Sequence, residues 1–374
     1  MRTFKSGNYQ SQGSYKSFQP ELINKPWQIT DMELMSLLGQ ADRQLGRLDM
    51  YSEYVPNIEL FISMHVLKEA TKSSKIEGTQ TNIEEALLEK SEIREEKRND
   101  WEEVQNYISA LKSAIDKLQN LPFSTRLIKH THQILLQGVR GKHKLPGEFR
   151  SSQNWIGGAT ISDATFIPPT HHTIDEYMSD LEKFAHNGDF FFPDLLKIAL
   201  IHYQFETIHP FLDGNGRVGR TMITLYLVEK QILKQPILYL SDFFEKNRTL
   251  YYDNLMRVRE KNDLNQWFKF FLTGVIETAK SSIQTFDGIL KLQREIDQNL
   301  QTLGARANNA QKVMLELYRH PMINAKQLKK LTELSLPSAY KLIDDLVQLG
   351  IIKEFTGSKR GKNYVFDQYL SLFQ

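Results

Sequence analysis

One histidine, one aspartate, three glycines and two arginines fall within fourteen residues, TIHPFLDGNGRVGR at 207–220, just ahead of the apolar run TMITLYLVEKQIL. Gly214, Asn215 and Gly216 stand where a helix would begin, with Arg217 and Arg220 in its first turns. Glycine lets backbone N–H groups turn toward a bound anion, and a helix N-terminus adds the positive end of its dipole. Residues three apart project from roughly one helix face, and the planar fork of arginine suits phosphate oxygens. Asp213 at the lip is a hard oxygen ligand of the kind that holds Mg²⁺ shared with phosphates. His209, with an ordinary pKa near ~6.5, can take a proton at neutral pH. The residues therefore read as a polyphosphate cradle with a general base beside it. Neither GxxxxGK[ST] nor GxGxxG after a strand occurs, so the cradle is of another type.

The elements that must position these groups are mostly helices. Leu60, Met64 and Leu67 recur at helical spacing, and 59–77 has no internal Gly or Pro. Gly78 follows as a left-handed cap, and Thr81 with Glu84 forms a capping-box pattern for a second helix over 82–90. Segments 101–119, 124–138, 173–187, 193–206, 215–233, 247–260 and 263–300 also have helical patterns. QNWIGGATISDATFIPPT, 153–170, is the exception: its paired glycines, β-branched residues and closing prolines predict a short hairpin. Residues 1–25 are polar and read as an extended arm. Over 305–374, three short helical patterns precede IIKEF and YVF around the turn TGSKRGKN, which predicts a winged helix-turn-helix. Eleven Lys and Arg against six Asp and Glu give residues 306–374 a net charge of +5.

Across all 374 residues the net charge is only +2, so no global field marks a nucleic-acid binder. There is no cysteine, which excludes disulfides, zinc thiolates and thiol nucleophiles and fits a reducing cytoplasm. The N-terminus lacks a signal-peptide core, and no apolar run approaches the ~20 residues of a membrane span. His130, His132, His143, His171, His172 and His202 lack metal-ligand spacing and read as structural or solvated.

HPFLDGNGRVGR resembles, at every fixed position, the HPFx[D/E]GNGRxxR signature of the Fic family. The resemblance extends to GEFR (147–150), NWIGG (154–158) and LSDFFEKNRTLYYDNL (240–255), and covers roughly 25–280. It implies a mainly α fold: a Fic-type helical bundle with a small β-hairpin flap, here followed by the winged helix-turn-helix. The boundaries expected are an arm over 1–25, an N-terminal helical region over 26–100, a catalytic core over 101–300 and the C-terminal unit over 305–374. The implied activity is transfer of AMP from ATP to a Ser, Thr or Tyr hydroxyl of a target protein, the enzyme itself included. In that reading His209 deprotonates the hydroxyl, Asp213 holds Mg²⁺, and Phe211 anchors the loop. Gly214, Asn215 and Gly216 bind phosphates, and Arg217 and Arg220 grip the β/γ-phosphates. The intact GNGR favours adenylylation over phosphorylation. The hairpin 154–167 would dock a target segment by strand addition. Asn247, Tyr251 and Tyr252 resemble the adenine-side wall, with two aromatics on a core helix as the competing reading.

Family members often carry an inhibitory helix of pattern [S/T]xxxE[G/N], and SSKIEG supplies Ser73, Glu77 and Gly78 at that spacing. The implied brake is a charge pair between Glu77 and Arg220. Two alternatives stand beside it. One is an enzyme that also removes AMP, with Glu77 orienting the hydrolytic water. The other is a nucleotide-sensing regulator whose winged helix contacts DNA through Lys359, Arg360 and Lys362, a reading weakened by Asp344 and Asp345. A protein partner for that unit and a homodimer remain open.

Overall fold

DLLKIALIHYQFETI has no polar face, and a helix apolar all round must be buried. The computed structural model describes residues 4–55, 57–138, 141, 143–355 and 361–374, and in it this segment is the central helix, α7 (Asp194–Ile208), buried from Leu195 onward. Before it come α1 (Met32–Tyr54), α2 (Glu59–Ile76), α3 (Ile83–Leu87), α4 (Arg98–Lys117), α5 (Thr125–Leu135) and α6 (Ile174–His186). After it come α8 (Asn215–Glu229), α9 (Ser241–Lys246), α10 (Arg248–Lys261) and the long α11 (Leu264–Gln301), along which α1 packs. From α2 onward the long helices thus fall where the apolar periodicity predicts them, and none of the described helices is long and apolar enough to cross a membrane.

Residues 7–20, within the extended arm expected over 1–25, fold back on themselves and pack on the body of the protein. Gly7–Ser11 (β1) and Lys16–Pro20 (β2) pair as an antiparallel hairpin, Gly7 opposite Pro20 and Ser11 opposite Lys16. Phe18 is the reason: it is buried against Phe166, and its N–H donates to the Ile167 carbonyl at 2.9 Å. Ser6 ties the other end to α10 through the Arg259 carbonyl and the Asn262 side chain.

Two local expectations shift. The capping box belongs to Asn82 and Glu85 rather than Thr81 and Glu84, and α3 ends at Leu87. Thr81 is buried, so its neighbour supplies the cap. The flap 154–167 closes by a single antiparallel bridge, Ile156 to Phe166. Gly157 and Gly158, both at φ +71°, and a 3-10 turn over Ile161–Asp163 occupy its tip.

The C-terminal unit has the order α12 (Ala307–Arg319), β3 (Met322–Asn324), α13 (Ala325–Thr332), α14 (Leu336–Gln348), β4 (Lys353–Glu354), β5 (Asn363–Val365), with sheet order β3-β5-β4. This is the order of a winged helix-turn-helix, with β3 added to the two expected strands; most of the turn between β4 and β5, including Lys359 and Arg360, lies outside the described residues. Its apolar interior runs on into the main core. Phe61 of α2 meets Tyr318 edge-on at 5.4 Å and Tyr369 of α15 (Asp367–Leu370) at 6.3 Å, and Ser63 Oγ donates to the Arg319 carbonyl. Phe61 is fully buried at this junction. We expect Phe61→Ala to lower the unfolding free energy by about 3–5 kcal/mol, measured by urea titration. A loss under about 1 kcal/mol would mean that the C-terminal unit does not share a core with α2.

Candidate active site

The site is built where α7 stops and α8 starts. His209 caps α7 in the left-handed conformation, φ +49°, and its N–H still donates to the Phe205 carbonyl. Gly214, at φ +77°, sets the entry to α8. Between them Asn215 closes the loop: its Oδ1 accepts from the Phe211 N–H at 2.9 Å and its Nδ2 donates to the Phe211 carbonyl at 2.8 Å. Its side chain is thereby committed to the loop, and only its backbone is left for an anion. Phe211 is buried and stacks on His132 at 3.7 Å, whose Nε2 lies 3.0 Å from the Asp213 carbonyl oxygen.

Both arginines are held by carboxylates. Arg220, 2% exposed, donates through Nη2 to Glu77 Oε1 at 2.7 Å and to the Ser73 carbonyl at 2.9 Å, and through Nε to Ser73 Oγ at 2.8 Å. Glu77 directly follows α2, where Gly78 at φ +108° turns the chain away. Its carboxylate lies so close to α8 that a Cβ on Gly216 would sit 2.2 Å from Oε1. Burial works to raise the Glu77 carboxyl, and Arg220 outweighs it, holding the group below its usual value. Arg217 donates through Nη1 to Glu103 Oε2 of α4 at 3.1 Å and lies 3.5 Å from Asp213 Oδ1. Asp213 is half-exposed, and its Oδ1 also accepts from the Gly214 N–H at 2.6 Å. An exposed carboxylate at the mouth of a phosphate cradle is a fitting donor for Mg²⁺. Among the described residues no cluster of three or more His, Asp or Glu side chains could hold a metal unaided, so the phosphates would have to share it.

Burial, then the charges of Arg150 and Arg259, push His209 down to about 3, so its imidazole is neutral at pH 7 and able to accept a proton. Tyr251 belongs to the core: it is 1% exposed, and its hydroxyl lies 2.8 Å from His202 Nε2. Tyr252 is partly exposed, and burial, then the Glu77 charge, raise its hydroxyl pKa. Asn247 joins α9 to α10 and donates to the Phe243 carbonyl; it faces a cavity under α2 rather than the arginines. Both tyrosines feel the Arg220 and Glu77 charges, Tyr251 from within the core and Tyr252 from the surface.

Residues 35–116 match the Fic/DOC family N-terminal region, and residues 122–227 match the Fic/DOC family domain. The chain belongs to the Fic/DOC family. An Aquifex aeolicus protein named "probable protein adenylyltransferase" is 25% identical over 244 residues, 63% of this Fic chain and 70% of that protein. A protein adenylyltransferase Fic of Aedes aegypti is 30% identical over 125 residues, 33% of this chain and only 22% of the mosquito protein. Among solved structures, a Fic family protein from Desulfovibrio desulfuricans aligns with a TM-score of 0.59 at 18% identity, covering 91% of this chain and 97% of that one. Fic-1 from Caenorhabditis elegans aligns with a TM-score of 0.51 at 18% identity, covering 70% and 75%.

Several residues that build the Fic site carry no role in the sequence reading. Arg150, the last residue of GEFR, is 2% exposed and donates to the carbonyls of His209, Pro169 and Ser152. It staples both roots of the flap to the catalytic turn. Asn154 Nδ2 adds a bond to the Phe211 carbonyl at 2.9 Å. Glu206, one turn before His209, is buried; burial raises its carboxyl to about 7. The GEFR and NWIGG strings were signals for Arg150 and Asn154. Nothing local marks Glu103 or Glu206.

In the C-terminal unit, Lys362 pairs with Glu354, Arg306 with Asp345 and Lys353 with Asp367. The outer face of α14 exposes Leu336, Tyr340 and Val347 beside Asp344.

Four histidines give the fold a pH signature, His65, His132 and His202 buried and His209 partly so. Burial, the largest cause for each, lowers His65, His202 and His209 to about 3 and His132 to about 4. Between pH 6.5 and 5 the unfolded chain takes protons that these native rings refuse, so stability falls with pH, by up to about 1.4 kcal/mol per pH unit for each ring. Glu206, raised to about 7, opposes them, because the native state protonates first there. We expect the urea midpoint to drop between pH 6.5 and 5; a level or rising midpoint would contradict neutral burial of the rings.

Proposed function

We propose that this chain is an autoinhibited protein adenylyltransferase, which transfers AMP from ATP to a hydroxyl on a target protein and on itself. The observation that carries the reading is Glu77 Oε1 seated 2.7 Å from Arg220 Nη2 and against Gly216, inside a GNGR loop that otherwise suits phosphate. The curated relatives named as adenylyltransferases support the same chemistry.

Transfer needs an oriented nucleophile, fixed phosphates and stabilisation of the charge that builds on phosphate oxygens. Neutral His209 takes the proton of the incoming hydroxyl as its oxygen bonds to the α-phosphorus, the bond from that phosphorus to the β-phosphate oxygen breaks, and pyrophosphate leaves. The left-handed turn at His209, pinned by Arg150, fixes its place beside the N-terminus of α8. The N–H groups of that terminus and the guanidinium groups of Arg217 and Arg220 hold the phosphates. Asp213 would hold Mg²⁺, which would offset phosphate charge. The flap presents Trp155, Gly157 and Gly158 at an open edge, where an extended target segment can add main-chain hydrogen bonds.

Glu77 competes for Arg220. A carboxylate already on the guanidinium occupies the fork meant for a phosphate. The apolar face of α14, beside Asp344, favours a protein partner over DNA for the C-terminal unit.

Glu77→Gly should transfer AMP roughly tenfold to a thousandfold faster than wild type, as release of a partly buried charge pair allows. Transfer of label from ATP marked at the α-phosphate measures this, with self-modification appearing first. Arg220→Ala should not mimic the gain, because it removes a phosphate ligand together with the brake. Equal rates for wild type and Glu77→Gly, or activation by Arg220→Ala, would sink the competition. Adducts that accumulate on Glu77→Gly and are removed by wild type would instead assign Glu77 to AMP hydrolysis.

His209→Ala should abolish transfer while ATP binding stays within a few-fold of wild type, since the base acts on the hydroxyl and not on the bound nucleotide. Calorimetry beside the label assay checks both halves; undiminished transfer would remove His209 from the chemistry.

A further inference from the structure

A cavity of about 160 Å³ lies under the brake helix, walled by α2, α9, α11 and Phe373 of the last turn. It has about ten times the space one water needs and falls below the roughly 300–1,000 Å³ of sites for drug-sized ligands. Its walls are rich in hydrogen-bond donors. Asp242 is answered by three ammonium groups: Lys68 at 3.3 Å, Lys72 at 3.0 Å and Lys246 at 2.9 Å. Lys72 also shares Glu245 with Lys75, at 3.5 and 2.8 Å. Of these groups Lys68, Lys246 and Asp242 line the cavity itself, and Lys72, Lys75 and Glu245 stand behind them.

Two further donors point to a ligand. His65 is 6% exposed and Tyr239 is 7% exposed; both line the cavity, and neither His65 Nε2 nor the Tyr239 hydroxyl has a partner among the described residues. Buried polar groups are normally hydrogen-bonded. The hydroxyls of Ser282 and Thr285 on α11 complete the wall. Of the remaining lining carboxylates, Glu69 is taken by Tyr107 and Ser241, and Glu277 is exposed. Burial also pulls the Lys68 ammonium below its ordinary pKa despite Asp242, a penalty that a second anion would relieve.

We propose that this cavity binds a small organic anion, carboxylate or phosphate, with its charge met by Lys68 and Lys246 and its other acceptors by His65, Tyr239 and the α11 hydroxyls. The anion is read by the active site through α2. Lys68 and Glu77 are about 13 Å apart along one helix, at ~1.5 Å per residue. An occupant that ties α2 to α9 and α11 favours the state in which Glu77 is seated, because a ligand shifts an equilibrium by its differential affinity for the two states. This second clause rests on the proposed adenylyltransferase activity; the binding itself does not.

Calorimetric titration of the full chain with malonate, and separately with inorganic phosphate, tests the site. Saturable one-to-one binding of malonate assigns a carboxylate ligand, and of phosphate a phosphorylated one; binding of neither overturns the proposal. The Lys68→Met, Lys246→Met double variant should weaken binding at least tenfold, and Arg220→Ala, which alters the catalytic cradle, should leave it unchanged. Lys246→Met alone, at an exposed position, should weaken it at least threefold if the double variant does not fold. Binding that survives the lysine changes, or that disappears with Arg220→Ala, places the anion at the cradle and overturns the assignment. The bound anion should also slow AMP transfer by wild type at least threefold and leave Glu77→Gly unaffected; equal slowing of both would break the link to the brake. Loss of all transfer in every variant would count against the adenylyltransferase reading and leave the calorimetric result standing.

Discussion

A guanidinium that is 2% exposed has to be answered by an anion, and Arg220 sets that demand for the whole site. Stripping water from such a charge costs several kcal/mol unless its donors are matched. Phosphate oxygens would match them; Ser73 and Glu77 do so here. The Glu77–Arg220 pair is therefore the answer to a desolvation problem that the burial of Arg220 creates. Several features follow from it. Helix α2 must pass beside α8, it must end within reach of the fork, and the loop must leave room for a carboxylate. Arg217, at 4% exposure, meets the same demand from Glu103 of another helix.

Helix α2 accordingly serves two masters. Its last turn lies in the cradle, and its first turns lie in an aromatic junction with Tyr318, Tyr369 and Phe373. A rigid helix bridging two packed regions transmits a displacement at one end to the other, because packed interiors yield by discrete repacking rather than by smooth deformation. The C-terminal unit is thus mechanically joined to the phosphate site without approaching it.

Much of this was legible in the sequence, for identifiable reasons. The motif is local: its histidine, aspartate, glycines and arginines fall within one stretch, so spacing alone carries the signature. The helices follow from apolar periodicity, and Gly78 and Gly214 occupy the left-handed positions that only a few residues tolerate. What stayed hidden is tertiary. Arg150 looks like any charged residue until three carbonyls are folded around it. Thr81 and Asn82 are equally good caps on paper, and burial of the first decides between them. The hairpin at 7–20 is too polar to announce itself; a single side chain, Phe18, holds it against the flap. Tyr251 and Tyr252 are neighbours of one type, yet helix geometry sends one into the core and the other to the surface.

Gly216 sits at the meeting point of these constraints. A Cβ there would lie 2.2 Å from Glu77 Oε1 and 2.9 Å from Arg220 Nη1. The missing methyl group is the space that the Glu77 carboxylate occupies. A side chain gained at 216 would push on the carboxylate and on the guanidinium together, so one methyl group would loosen both halves of the pair at once.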